Sequence, residues 1–355
     1  MIDDRQNFIA TTEHRRPDRI LYSASFTPDL MRRVRAHVGN GDIGSHYGFK
    51  RQQSLAMRRP EGLEALDYSE YYGKDELPEG TQFNAHGAAR IPAGFYHFFG
   101  YVSPLRKATS LKQIEDYPMD DMGTWDCSFM PAIVEKAHAE GKYVVGSVAH
   151  IFESAWQIRG MEQFLMDMIE RPAWAECLLE RLAEQNMAKS LACAKAGADM
   201  LHCGDDVATQ RGLMFSPSHW HKMVHSRWKK IWREVKSKYS QIRIWYHSDG
   251  NITDIIEDLI IAGVDILNPL QPECIDFDAI HKKYGKRLTF DGCVGTQSTM
   301  PFGTPDEVRV RVRELIERYG RDGGLMLAPT HVLEPDVPIE NIDAFADACR
   351  EIGSN

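Results

Sequence analysis

The stretch Ile242-Arg243-Ile244-Trp245-Tyr246-His247-Ser248-Asp249-Gly250 reads as a strand running into a polar turn. Its first five residues have strand composition, rich in β-branched and aromatic side chains. Side chains two apart in a strand share a face, so His247 and Asp249 project together where the strand ends. Gly250 lets the chain turn away. A helical stretch over 252–262 follows, stopped by Gly263, and then a second apolar strand, Val264-Asp265-Ile266-Leu267-Asn268, cut by Pro269. Strand, helix, strand with short connections implies parallel pairing under a helical cover.

The same unit recurs on both sides. Toward the N-terminus lie a helix over 3–13, a strand Ile20–Ala24 and a helix over 28–38 with Pro28 in its first turn. Past Pro118 come a helix over 129–140, a strand from Tyr143 to Val148, a loop carrying Glu153, and helices over 161–169 and 172–196. A strand from Asp199 to Cys203 leads to Gly204-Asp205-Asp206, and a helix over 217–238 opens with Ser216-Pro217. Toward the C-terminus follow a helix over 276–284, a strand from Arg287 to Asp291, a helix over 305–319, a strand from Leu325 to Ala328 and a last helix over about 338–351. About eight such repeats closed on themselves give a single (β/α)8 barrel spanning 1–355, with an irregular insertion over residues 40–100. A doubly wound sheet is the competing arrangement, weakened because no GxGxxG follows an early strand.

Bulk properties narrow the partners. With 355 residues, 43% hydrophobic and 26% charged, the chain has globular composition and is long enough for a large core. A net charge of −9 favours neither nucleic acid nor an anionic membrane. Seven scattered cysteines without a CxxC pair fit reduced thiols. No apolar run approaches the roughly 20 residues of a membrane span, and the charged N-terminus lacks a signal-peptide core, so a cytoplasmic location is expected.

A barrel of this kind does its chemistry at the C-terminal ends of its strands. The polar residues expected there are Glu153, Asp205, Asp206, His247, Asp249, Asn268, Gln271, Asp291, Gln297 and His331. An imidazole beside a carboxylate is half of a first-row metal site. Tyr96, Phe98, Trp156 and Tyr246 are candidate walls for an apolar substrate. His219, His221 and His225 fall on the helix over 217–238 and read as a solvated face, and Cys203 as a buried thiol.

Taken together, Gly204-Asp205-Asp206, Ser216-Pro217, His247-Ser248-Asp249-Gly250, Asn268-Pro269-Leu270-Gln271-Pro272, Phe290-Asp291-Gly292, Gly303-Thr304-Pro305 and Ala328-Pro329-Thr330-His331 through Asn341 resemble the uroporphyrinogen decarboxylase superfamily. The resemblance covers roughly 100–355 well and the first hundred residues loosely, and it implies a (β/α)8 barrel. One branch of that superfamily decarboxylates uroporphyrinogen without metal, using an arginine-rich R-Q-A-G-R signature to grip carboxylates. The corresponding stretch here, Leu21 to Pro28, holds no arginine; Arg32, Arg33 and Arg35 come later, on a helix. The other branch transfers methyl groups to corrinoids and binds zinc through H-x-C and a distant cysteine after the last strand. Here the matching positions read His247-Ser248-Asp249 and Ala328-Pro329-Thr330-His331, so both thiolates are replaced.

The resemblance therefore implies a metal site of His247, Asp249 and His331, holding zinc or another divalent metal. Glu153 is the reserve ligand or base, and Asp205 and Asp206 are catalytic candidates that hold substrate, orient His247 or cap structure. Tyr96, Trp156, Tyr246 and Gln271 are the expected substrate contacts. Exchanging thiolates for carboxylate and imidazole leaves the metal more electropositive and suits it to an oxygen leaving group. The expected activity is a methyltransferase of the O-demethylase type, acting on a small methoxylated substrate. No D-x-H-x-x-G motif is present, so the corrinoid is expected on a separate protein; a homodimer is left open. The alternatives are a metal-free decarboxylating lyase and a non-catalytic corrinoid- or tetrapyrrole-binding barrel.

Overall fold

The computed structural model describes residues 3–73, 77–92 and 99–354. Seven strands form one curled parallel sheet: β1 (Gln52–Leu55), β2 (Tyr143–Ala149), β3 (Met200–Gly204), β4 (Arg243–His247), β5 (Ile266–Asn268), β6 (Thr289–Val294) and β7 (Leu325–Pro329), neighbours in that order. Spatial order follows chain order, as in a (β/α)8 barrel and unlike a doubly wound sheet, whose order reverses at a switch point.

The strand expected over 20–24 is present as a single parallel bridge, Tyr22 to Leu327. Its backbone touches both edges of the sheet. Ser23 N donates to Leu327 O at 3.0 Å, Leu327 N to Leu21 O at 2.9 Å, and Lys50 N, just before β1, to Tyr22 O at 2.8 Å. That is the place an eighth strand takes in a (β/α)8 barrel. Strand β1 lies inside the stretch read as irregular. Gln-Gln-Ser-Leu is short and polar, and only Leu55 is buried, so no apolar alternation marks it.

Two apolar cores lie on the two faces of the sheet. Phe8, Leu21, Tyr143, Val145, Met200, Trp245, Ile266 and Met326 cluster inside the curl. Phe8, from the first helix Asp4–Thr12, plugs one end by stacking on Tyr143 with ring centroids 4.6 Å apart. The larger core, between sheet and helices, takes the alternate residues, among them Leu201, Cys203, Ile244, Tyr246, Leu267 and Phe290. The period of two then fixes what points inward at the strand ends: His202 beyond Met200, His247 beyond Trp245, Asn268 beyond Ile266.

Two helical readings and one irregular stretch change. A helix, Phe152–Arg159, stands where a loop was expected to carry Glu153. The helix expected over 217–238 is broken into Pro217–Trp220, a π turn His221–His225 and Ser226–Lys238. That turn buries His225 against Trp220 and gives its Nε2 the carbonyl of Asp258 at 3.2 Å, so the three histidines are not all a solvated face. Part of 40–100 is an antiparallel sheet of Gln82–Phe83, Ala89–Pro92 and Phe99–Val102. Tyr96 and Phe98 lie outside the described residues. Among the described residues no helix is long and apolar enough to cross a membrane.

Candidate metal centre

The C-terminal ends of β3 and β4 are stitched together by two backbone amides, one bonded to a carbonyl and one to a carboxylate. Asp205 N donates to His247 O at 3.0 Å, and Asp249 N donates to Asp206 Oδ1 at 2.8 Å. The approach is so close that a side chain at Gly204 would put its Cβ 2.7 Å from His247 O. Gly250 turns the chain away at φ +83, with Ala208 and Thr209 carbonyls packed where a Cβ would sit.

This stitching sets His247, Asp249 and Asp206 around one point. Their ligand-type atoms all lie within 4.8 Å of one another. His247 Nε2 is 3.5 Å from Asp206 Oδ1 and 3.9 Å from Asp249 Oδ1, and His331 Nε2 is 3.8 Å from Asp249 Oδ2. The imidazole of His247 is held from behind. Asn268 Nδ2 donates to the Asp291 carbonyl at 3.0 Å, which turns Asn268 Oδ1 toward His247 Nδ1 at 2.7 Å. A carboxamide oxygen only accepts, so Nδ1 carries the proton and Nε2 presents its lone pair to the two carboxylates.

Among the described residues the carboxylates at this point face histidines rather than lysine or arginine. The cavity, about 640 Å³, is lined by Lys50, His150, Glu153, Asp206, His247, Asp291 and His331 among others. Lys50 Nζ takes Asp291 at 3.3 Å, and His150 Nδ1 takes Glu153 at 2.9 Å. No lysine or arginine pairs with Asp206 or Asp249 among the described residues. Among the described residues Asp249 Oδ1 is buried with no hydrogen-bond donor. Burial holds the Asp249 carboxyl above its ordinary range; His247 pulls it down and Asp206 pushes it up again. An orphaned carboxylate oxygen, a second carboxylate and an oriented imidazole are a donor set that fits zinc or another divalent metal.

The sequence reading missed His150. A bulge between β2 and β3, where the register shifts between Ser147 and Ala149, leaves Ala149 at φ 107 and turns the next residue into the cavity. Burial disfavours the His150 imidazolium, but the hydrogen bond and charge of Glu153, with Asp205 and Asp206 behind, outweigh it and raise the group to about 9. Glu153 responds in the opposite sense: burial raises it, and His150 brings it below the usual carboxylate range. His202, also unforeseen, is lowered to about 4 by burial and by the neighbouring His247 and His150, and so stays neutral.

Several expected site residues sit elsewhere. Asp205 is fully buried and does not line the cavity. Its Oδ1 accepts from Ile151 N at 2.9 Å and Glu153 N at 3.0 Å, and its Oδ2 from Trp228 Nε1 at 2.6 Å. It therefore anchors the start of the Phe152–Arg159 helix rather than meeting substrate; burial raises its carboxyl to about 7. Tyr246 faces the helices, edge-on to Trp232, because it alternates with the inward Trp245 and His247. Trp245 is the aromatic that lines the cavity, with its Nε1 on Asp291 Oδ2 at 2.9 Å. Gln271 Oε1 accepts from Gly250 N at 2.7 Å, which fixes the turn after Asp249, and Gln271 is not among the residues lining the cavity. Trp156 packs edge-on against Tyr101 and is not among the residues lining the cavity. Glu153, Asp206, His247 and His331 do line it.

Comparison with known proteins agrees with this architecture. Residues 103–352 match the family Uroporphyrinogen decarboxylase (URO-D). A uroporphyrinogen decarboxylase from Pseudoalteromonas translucida is 23% identical over 261 residues, covering 71% of this chain and 70% of that protein. One from Serratia proteamaculans is 25% identical over 185 residues, 51% of this chain and 49% of its own length. Among solved structures, a methyltransferase from Methanosarcina mazei superposes with a TM-score of 0.66 at 20% identity, covering 99% of each chain. At that identity the likeness is one of fold.

Proposed function

Because this chain belongs to the uroporphyrinogen decarboxylase (URO-D) family, we propose that it is a metal-using member that moves a methyl group from a small methoxylated donor to a corrinoid. The observation that carries the reading is the cluster of Asp206, His247 and Asp249 with the unpaired Asp249 Oδ1. The fold of a methyltransferase from Methanosarcina mazei supports it. So does the cavity wall, which holds no arginine among its described residues. Arg32 and Arg33 sit on the exposed helix Pro28–Val38, occupied by Asp29 and by the Pro335 carbonyl. A substrate bearing many carboxylates has no guanidinium clamp here.

In this reading His247, Asp249 and either Asp206 or His331 hold the metal. Once bound, zinc or another divalent ion supplies Lewis acidity toward the ether oxygen that leaves. Asn268 keeps His247 Nε2 aimed at the site. His150, with Nδ1 held by Glu153 and the Gly204 carbonyl, has Nε2 as the proton source for the demethylated oxygen. Trp245 and Met200 wall the donor. The corrinoid arrives on a separate protein docking over the open end, and the chain acts as one URO-D-like domain.

Metal analysis of protein purified without chelator is the first test: less than about a tenth of an equivalent sinks the reading. The second is loss of the reduced corrinoid absorbance when methoxybenzene is added with the chain. The sequence likeness to uroporphyrinogen decarboxylases favours one other reading, a metal-free lyase. That activity would release carbon dioxide from a tetrapyrrole acid and survive His247→Ala.

A further inference from the structure

Beside the metal cavity lies a second cavity of about 410 Å³. His150 and His202 line both, so the two cavities share that part of their wall. The far side of the second cavity is mostly apolar, with Met57, Trp125 and Val148, and it carries the amine of Lys189. Among the described residues no carboxylate lines it.

Lys189 comes from the long helix Pro172–Ala196 and has no hydrogen-bond or ion-pair partner among the described residues. The carboxylate that acts on it, Asp120, is already taken by Arg59 at 2.8 Å. Burial depresses the Lys189 ammonium, only partly offset by Asp120. The indole N–H of Trp125, on the same wall, is likewise buried without an acceptor. His150 adds a second positive charge at the shared wall when protonated. Elsewhere in the interior a buried cation is matched: Lys50 by Asp291, Arg159 by Asp167 at 2.7 Å. An ammonium left unmatched in a cavity costs solvation free energy that an anionic ligand returns.

We propose that this cavity is the anion subsite of the substrate, and that the methyl donor is a methoxylated aromatic acid whose carboxylate is held by Lys189 while its methoxy end reaches the metal cavity past His150 and His202. Met57, Val148 and Trp125 give the ring an apolar seat. The proposal rests on the methyltransferase reading for the methoxy end alone; the anion subsite stands on Lys189 and its surroundings.

The test uses the full chain, with and without added zinc, in calorimetric titrations of the three isomeric methoxybenzoates and the matching methoxybenzamides. At least one benzoate should bind about tenfold or more tightly than its amide, the value of a charge-assisted pair over a neutral one. Lys189→Met should erase that preference while leaving amide binding within about twofold, and Lys189→Arg should keep most of it. Circular dichroism shows whether the variants fold; if the methionine variant does not, Lys189→Gln takes its place. Equal binding of acid and amide, no binding of any benzoate, or a preference that survives loss of Lys189 overturns the proposal. Transfer to reduced corrinoid is scored separately. Lysine-dependent binding without transfer overturns the methyltransferase reading and leaves the subsite standing. Transfer from methoxybenzene with no acid preference does the reverse.

Discussion

Asp205 and Asp206 are neighbours in the chain and opposites in the fold. Asp205 points between sheet and helices, fully buried, with three donors on its two oxygens. Asp206 points into the cavity, with one backbone amide and the imidazole of His247 nearby. The same division runs through Tyr246 and His247 on the next strand. At a strand end, one residue of drift decides between holding the scaffold and holding a ligand. Along a regular strand a polar residue thus reaches the cavity when it shares the parity of the inner core; His150 gets there through a bulge and His331 from the loop after the last strand.

The sharpest break of that comparison is metal loss. His247→Ala or Asp249→Ala should lower bound zinc from about one equivalent to under a tenth, read by metal analysis. The folded apoprotein should be no less stable for losing Asp249, since Asp249 Oδ1 has no donor to lose. A large drop in thermal midpoint of metal-free Asp249→Asn would put this residue on the scaffold side instead.

The next effect is on stability and should separate the two aspartates. Asp205→Ala removes an acceptor from two backbone amides and an indole. It should cost about 2–4 kcal/mol in denaturant unfolding. Asp206→Ala should cost under about 1 kcal/mol and act on metal binding. Equal costs would erase the distinction between the faces.

A smaller effect is expected behind the imidazole. Asn268→Leu leaves His247 Nδ1 without its acceptor. Zinc affinity should fall about 10–100-fold in a chelator competition, with the ligands intact. An unchanged affinity would mean that the ring is oriented by its strand alone.

These residues also show how far the sequence could be read. His247 and Asp249 were legible because a strand pattern and a glycine stop bracket them. The parallel sheet was legible for the same reason, repeated along the chain. The inward and outward assignment was within reach as well, since His247 facing in requires Tyr246 facing out, yet Tyr246 looked like a substrate wall. Asp205 was within reach too, continuing the outward parity of Leu201 and Cys203; Gln271 was not, because it lies beyond a strand end where periodicity stops and a bond to the Gly250 amide takes over. His150 was hidden by a bulge, and Lys50 by a connection whose order comes from Tyr22 and Asp291, far away in sequence. Lys189 sits on a long helix like any surface lysine; only the folded cavity shows that it has no partner among the described residues.

The subtlest prediction concerns the His150–Glu153 pair, which sits on the cavity side yet is held by the scaffold side through Asp205. His150 stays protonated up to about 9, above the ordinary histidine value of 6.5. If its Nε2 proton serves the leaving oxygen, turnover should hold through neutral pH and decline as pH rises through about 9. The stability that the pair contributes is complete below pH 6.5 and is lost over that same window, because the folded state then gives up the proton it held more tightly. Glu153→Gln removes the partner carboxylate, so the His150 value must drop and the alkaline limb of the pH–rate profile must move toward lower pH. The helix start should survive, since Asp205 binds the backbone amide at 153 and not its side chain. A limb that stays put in Glu153→Gln assigns it to another group and returns His150 to a structural role on the shared wall.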